Sequence, residues 1–324
     1  MGQLHSIQIL RCVAVLLVVV LHATATWGFG AAGVDIFFVI SGFIIASIAP
    51  GQAPRRFLAD RVRRIYPIYW LVSLPVAAFY IGARGFDVEK LAASFTLWPI
   101  WSLFEFPYLN VGWTLSFEML FYLSAAAVLL RRWALPVLLI VYGIAAAGAF
   151  NGVLICRFIG NPLIVEFLFG VGLAKVPSIG QRSGWAALTA GIAGFAATAP
   201  LAHWLMWAEN VVELNTWQRC FVWGAPSALL VGGALQLEPM LKARWTRLPV
   251  FIGDASYSIY LTHTVVTLPL AGRLPWWLTA AIALGIGAAV HVGIERPLLA
   301  RLKRETSAAS SENRPNKSRA QRAN

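Results

Sequence analysis

The sequence predicts an all-α integral membrane protein of about ten transmembrane helices, with both termini cytoplasmic. Three observations point there. Apolar residues fill 59% of the 324 positions and charged residues only 12%, with a mean hydropathy of +0.69, whereas a soluble protein carries about 25% charge. Runs rich in Leu, Ala, Val and Ile, long enough to cross a ~30 Å hydrocarbon core, recur along almost the whole chain and call for helices rather than a barrel. The 26 Lys and Arg stand in short clusters between those runs, as the positive-inside rule requires.

The first predicted helix, about Ile9 to Trp27, runs outward from a cytoplasmic Arg11; the turn FGAAG follows, and the second helix, Gly33 to Ala49, returns. Arg55, Arg56, Arg61, Arg63 and Arg64 crowd the stretch between Pro50 and Ile65 and fix that loop on the cytoplasmic side. A third helix, Ile65 to Ile81, goes out, and a fourth, Trp113 to Leu130, comes back to Arg131 and Arg132. Residues 91–104 between them are apolar but only 14 long, and a crossing there would put Arg131 and Arg132 outside. The segment is therefore predicted to be re-entrant or interfacial. Six more spans follow: Ala134 to Phe150, Gly160 to Ala174, Gly184 to Ala202, Trp217 to Gln236, Val250 to Leu270 and Trp276 to Ile294. On this topology 21 of the 26 basic residues are cytoplasmic. The stretch from His203 to Asn215 is an outer loop in which Trp204, Trp207 and the adjoining Trp217 form an interfacial belt. Residues 1–304 make one transmembrane domain, and 305–324, rich in Ser, Asn and Arg, are expected to be a disordered basic cytoplasmic tail with weak attraction to anionic lipid.

Several functions are excluded. A net charge of +12 without one basic face interleaved with aromatics argues for cytoplasmic loops and against a nucleic-acid partner. Cys12, Cys156 and Cys220 are isolated, with no pair at metal-ligand or redox spacing, so no metal is expected. The run Val13 to Leu21 before Ala23-Thr24-Ala25 imitates a signal peptide, but a lone Arg11 is a poor basic region and cleavage would discard His22.

Arg11 and His22, eleven positions apart, share nearly one helical face and stand about 16 Å apart along the axis. An ionisable group at membrane depth is costly and usually faces an interior or a watery cavity, which makes His22 a site candidate. Counted from the outer helix ends, His22, Glu118, Glu166 and His263 fall at similar depth, and Asp35 at the start of helix two is within reach of His22. A shared cavity is therefore predicted. Histidine can take a proton from a hydroxyl while a neighbouring carboxylate, Glu118 or Asp35, orients the ring, which suits acyl transfer to an alcohol. The plain alternatives are a helix–helix hydrogen bond for His22 and carboxyls held protonated by burial for Glu118 and Glu166. Ser41 is a conceivable nucleophile, although small residues at Ser41-Gly42 equally let helices approach. Arg61 and Arg64, three apart on one face, match phosphate oxygens or simply mark topology.

At these residues the chain resembles the membrane acyltransferase family 3, most closely its bacterial exopolysaccharide O-acetyltransferase branch. The matching stretches are IQILRCVAVLLVVVLHA with Arg11 and His22, FGAAGVDIFFVISGF from Phe29, RFLADRVRRIYPIYWL with Arg61 and Arg64, VGWTLSFEMLFYL with Glu118, NPLIVEFLFGVGLA with Glu166, FIGDASYSIYLTH ending at His263, and Glu295-Arg296-Pro297. They run in order over most of the chain. The resemblance implies a ten-helix domain in the bacterial inner membrane that moves an acyl group, commonly acetyl, from cytoplasmic acetyl-CoA to a hydroxyl of a glycan or lipid-linked glycan, with polysaccharide-assembly proteins as possible partners. It implies that His22 is the essential catalytic residue with Arg11 its companion, and that Arg61 and Arg64, grouped with Ser41 and Gly42, bind the donor. Some members carry a fused periplasmic hydrolase-like module; with the sequence ending soon after the tenth predicted helix, none is expected here. Two rivals remain: a transporter or flippase using intramembrane His and Glu as a proton relay, and a non-catalytic partner in polysaccharide export.

Overall fold

The computed structural model describes residues 2–24, 28–202 and 217–312, of which 306–312 as backbone alone, and all of its regular structure is helical. Seven helices are long and apolar enough to cross a membrane. Helix α1 is His5–Thr24, α2 Ala32–Ile48, α3 Pro54–Arg84, α4 Val88–Thr96, α5 Trp113–Leu130 and α6 Ala134–Phe150. After them come α7 (Leu154–Ile159), α8 (Leu163–Leu173), α9 (Gln181–Thr198), α10 (Ala225–Gln236), α11 (Arg247–Leu270), α12 (Trp276–Val290) and α13 (Arg296–Glu312). A π turn, Cys220–Gly224, leads into α10, and a second, His291–Glu295, joins α12 to α13.

Most predicted spans have their helix, with four differences. The arginines from Arg55 to Arg64 are not in a loop: α3 begins at Pro54, whose fixed φ suits a first helical position, so they occupy its first three turns. The expected span from Gly160 to Ala174 is α8, and the short α7 precedes it, so the apolar stretch Leu154–Leu173 is broken at residues 160–162, where Pro162 caps α8. Helix α13 runs past Glu305 to Glu312, where a disordered tail was expected to have begun; residues 313–324 lie outside the described residues, as do Trp204 and Trp207 of the expected aromatic belt. Three expected spans fall outside the seven: α6, apolar but only 17 residues long, the segment into α10, which carries the buried Arg219, and α11, which carries buried Ser256, Ser258, Thr262, His263, Thr264 and Thr267.

Helix directions follow from the contacts. Helices α1 and α11 run parallel, pairing Gln8 with Gly253, Arg11 with Ser256 and His22 with His263. A Cβ on Gly253 would stand 1.9 Å from the Gln8 carbonyl, so only glycine permits this approach. Helices α1 and α2 are antiparallel, Gly30 facing Leu17 and Gly33 facing Ala14. Gly42 of α2 rests on the Phe167 carbonyl and Gly170 of α8 on that of Val39, each 2.0 Å from where a Cβ would be.

Segment 88–112 dips into the bundle and returns. Asp87 caps α4 by accepting from Lys90 N–H at 2.9 Å. The end of α4 stops against α3, where Tyr69 OH, Trp70 Nε1 and Tyr66 OH donate to the carbonyls of Ser94, Phe95 and Thr96 at 2.7, 2.9 and 2.7 Å. Broken helix at membrane depth persists only where protein groups satisfy its backbone, and three aromatic side chains of α3 do so. The chain then turns through left-handed Leu97, Leu103 and Phe104 before α5.

Candidate active site

A cavity of about 630 Å³ lies among α1, α2, α3, α5, α11 and the His291–Glu295 turn, at the end of the bundle that carries the arginines of α3. Helix α1 brings in Arg11, whose Nε donates to Ser256 Oγ at 3.1 Å. Helix α3 brings Arg61 and Arg64 on one face, and Arg61 Nε is buried with no acceptor among the described residues. Glu118 of α5 accepts from Ser41 Oγ at 2.8 Å and Tyr122 OH at 3.1 Å. Two further acids line the wall, each engaged: Gln3 Nε2 donates to both Asp254 oxygens at 2.8 Å, and Glu295 Oε2 takes Ser258 Oγ at 2.6 Å and His291 Nδ1 at 2.7 Å. The acids are thus hydrogen-bonded within the wall while guanidinium groups face the space. Arginine forks match phosphate oxygens in this setting.

The inner end of the cavity is formed by Val34, Thr114 and Tyr260. Tyr260 OH is 3.0 Å from Thr114 Oγ1 and 3.2 Å from the Val111 carbonyl. One helical turn beyond it stands His263, ring centroid 5.6 Å from that of Tyr260. His263 in turn meets His22 edge-on, with centroids 4.8 Å apart and His263 Nε2 3.3 Å from His22 Nδ1. His263 is fully buried, while His22 keeps partial exposure. Arg11 lines the cavity, and His22 lies outside its lining.

A third set of polar groups is packed behind α2. Arg219 donates through Nε to Asp35 Oδ1 at 3.1 Å and through Nη2 to Asp35 Oδ2 at 2.9 Å, and stacks on Trp223 at 5.2 Å. Glu166 stands beside this pair against Gly224, and neither of its oxygens has a hydrogen-bond partner among the described residues. Asp35 and Glu166 are 0% exposed and Arg219 1%.

The expected common cavity at His22 is therefore three separate groups. His22 and His263 do meet. Arg11, Arg61, Arg64, Ser41 and Glu118 share the arginine-lined cavity. Asp35 does not reach His22: with Gly30 beside Leu17 and Gly33 beside Ala14, it falls level with about Cys12, ten residues or roughly 15 Å below His22. Glu118 sits lower than expected because α5 starts deep. Gly112, just before it, lies against the Tyr69 ring at the middle of α3. Gly42 faces α8 and does not line the cavity.

Sequence reasoning did not single out the buried Arg219, which the charge count leaves on the outer side, although an arginine within an apolar run commonly faces a buried partner. It did not single out His291 either, whose position four residues before Glu295 places both on one helical face.

The profile of acyltransferase family 3, described as an acyltransferase domain, matches residues 4–294. The exopolysaccharide production protein ExoZ of Rhizobium meliloti (strain 1021) is 37% identical over 302 residues, covering 84% of this chain and 90% of the relative. The putative membrane-bound transacylase BcsY of Komagataeibacter xylinus is 27% identical over 299 residues, covering 80% of this chain and 72% of the relative. The peptidoglycan O-acetyltransferase OatA of Listeria monocytogenes serovar 1/2a (strain ATCC BAA-679 / EGD-e) is 30% identical over 152 residues, 39% of this chain and 24% of its own. No solved structure matches the chain.

Proposed function

This chain belongs to acyltransferase family 3, and from that premise we propose that it transfers acetyl from cytoplasmic acetyl-CoA to a hydroxyl of an exopolysaccharide or its lipid-linked precursor at a bacterial inner membrane. The printed name of ExoZ supports an exopolysaccharide acceptor, and that of OatA an O-acetyl product. The observation that carries the mechanism is the line from the arginine-lined cavity, through Tyr260 at its inner end, to the His263–His22 pair one turn beyond.

Arg61, Arg64 and Arg11 hold the donor's phosphates; the orphaned Arg61 Nε supports this assignment, since a buried donor without an acceptor costs about 1–3 kcal/mol unless a ligand supplies one. The pantetheine arm extends along α1, whose ~16 Å from Arg11 to His22 matches its reach. His22 Nε2 takes the proton of the sugar hydroxyl as that oxygen forms its bond to the acetyl carbon. The carbon–sulfur bond breaks, and the proton on His22 passes to the departing sulfur to give free CoA thiol. Ser41 and Glu118 bond to one another in the cavity wall and steady its shape beside Arg11. Residues 1–304 carry the whole activity.

The test is purified enzyme given acetyl-CoA and deacetylated acceptor glycan, with thiol release measured against glycan mass. Wild type releases one thiol per acetyl gained, and His22→Ala loses at least 100-fold in rate while remaining folded, the scale of a lost general base. Transfer by His22→Ala at near the wild-type rate removes His22 from the role. Glycan movement across the membrane without thiol release identifies a transporter instead.

A further inference from the structure

The partner of His22 is another imidazole, and the hydrogen bonds of both rings decide their protonation. A backbone carbonyl can only accept. His22 Nδ1 lies 2.9 Å from the Val18 carbonyl, so that nitrogen carries the hydrogen and Nε2 carries the lone pair. His263 Nδ1 lies 2.6 Å from the Tyr260 carbonyl, so it too is the protonated nitrogen, which leaves a lone pair on His263 Nε2. That lone pair is 3.3 Å from His22 Nδ1. The two rings thus form a directed chain, with the His22 Nδ1 hydrogen shared between the Val18 carbonyl and His263 Nε2. A charged His263 would set two donors against each other at that distance, in a position that is 0% exposed.

We propose that His263 is a positioning residue for His22: its neutral Nε2 accepts the Nδ1 hydrogen, holds the tautomer in which His22 Nε2 is the free base, and steadies the imidazolium formed during transfer. This deepens the general-base reading of His22 and rests on it. The place that a carboxylate takes in many catalytic triads is filled by an imidazole. Asp35 and Glu118 are unavailable for it, being bonded to Arg219 and to Ser41 and Tyr122. During the reaction His22 Nε2 gains the hydroxyl proton and later returns it to the leaving sulfur, while His263 keeps its single hydrogen on Nδ1 throughout. Two neutral acceptors, Val18 O and His263 Nε2, share the transient charge. Because the carbonyl that anchors His263 belongs to Tyr260, whose side chain forms the inner end of the donor cavity, the same turn of α11 sets the base and bounds the donor path.

Two amides separate orientation from packing. In His263→Asn the amide nitrogen can keep the bond to the Tyr260 carbonyl, but the side chain no longer reaches His22; in His263→Gln the amide oxygen reaches the Nε2 position and can accept from His22. Steady-state kinetics with acetyl-CoA and acceptor glycan, together with melting temperature in detergent, are measured for both, beside His22→Ala. The expected result is a kcat loss of about 10- to 100-fold in His263→Asn, the scale on which partners orienting a histidine act, with KM for acetyl-CoA unchanged and with His263→Gln recovered to within about threefold of wild type. If His22→Ala is inactive and His263→Asn turns over like wild type, the positioning role is wrong and the base stands. If both amides lose activity equally and melt early, His263 is a packing residue and the proposal is overturned. Activity in His22→Ala removes the base itself, and the positioning role with it.

Discussion

Removing Arg219 tests whether the buried ion pair behind α2 holds the bundle together. Arg219 and Asp35 make two hydrogen bonds of 3.1 and 2.9 Å, and both side chains are shut off from solvent at 2% and 0% exposure. Arg219→Gln leaves the Asp35 carboxyl buried beside Glu166, so two acids face each other with no cation. Breaking such a pair from one side costs about 3–5 kcal/mol, and at roughly 2 °C per kcal/mol for a chain of this size the melting temperature falls by about 6–10 °C. Neutralising both sides, Asp35→Asn with Arg219→Gln, removes the stranded charge and should restore more than half of that loss; Glu166→Gln in the Arg219→Gln background should restore a smaller part. Thermal unfolding in detergent can be followed with a thiol-reactive dye, because Cys12 and Cys220 are buried and report opening of α1 and of the turn before α10. A drop under about 1 kcal/mol in Arg219→Gln, or a double variant that melts at the sum of the two singles, refutes the coupling.

Arg61→Ala and Arg64→Ala are each expected to raise KM for acetyl-CoA about tenfold with kcat within threefold, since a hydrogen bond to a charged group contributes about 1.5–3 kcal/mol; initial-rate kinetics check this, and an unchanged KM in both removes them from donor binding. Lysine at either site should recover only part of the loss, as an ammonium lacks the guanidinium fork. Gly42→Ala drives a methyl to 2.0 Å from the Phe167 carbonyl and is expected to destabilise by about 1–3 kcal/mol, whereas Gly82→Ala, with open space around it, should melt like wild type. Equal melting of the two variants contradicts the close α2–α8 contact.

The helices themselves were legible because apolar length is a property of the chain alone: α5 and α6 start and stop at the residues where the hydropathy does. That residues 91–104 do not form a full span was legible for the same reason, being too short to cross, and α4 ends at Thr96. Depth was less so. Counting inward from helix ends assumes that the ends are level, yet Gly30 and Gly33 tuck the start of α2 down the flank of α1, and the dipping segment lets α5 begin opposite the middle of α3. Those offsets carried Asp35 and Glu118 away from His22. Azimuth was not legible at all: helical spacing gives which residues share a face, but only packing shows that the face of Asp35 meets Arg219 while that of His22 meets His263. The pairing of α1 with α11 is set by Gly253 against Gln8, a contact between residues 245 positions apart that no local pattern announces.

In the proposed reaction a donor held at the arginine end meets an acceptor at His22, on the far side of Tyr260. Enzyme reconstituted in one orientation in sealed vesicles, with labelled acetyl-CoA confined to the arginine side and deacetylated glycan confined to the other, tests it directly. The expected result is label on the glycan, matched one for one by free thiol on the donor side, and loss of both in His22→Ala. Label that appears only when donor and acceptor share a compartment would contradict it.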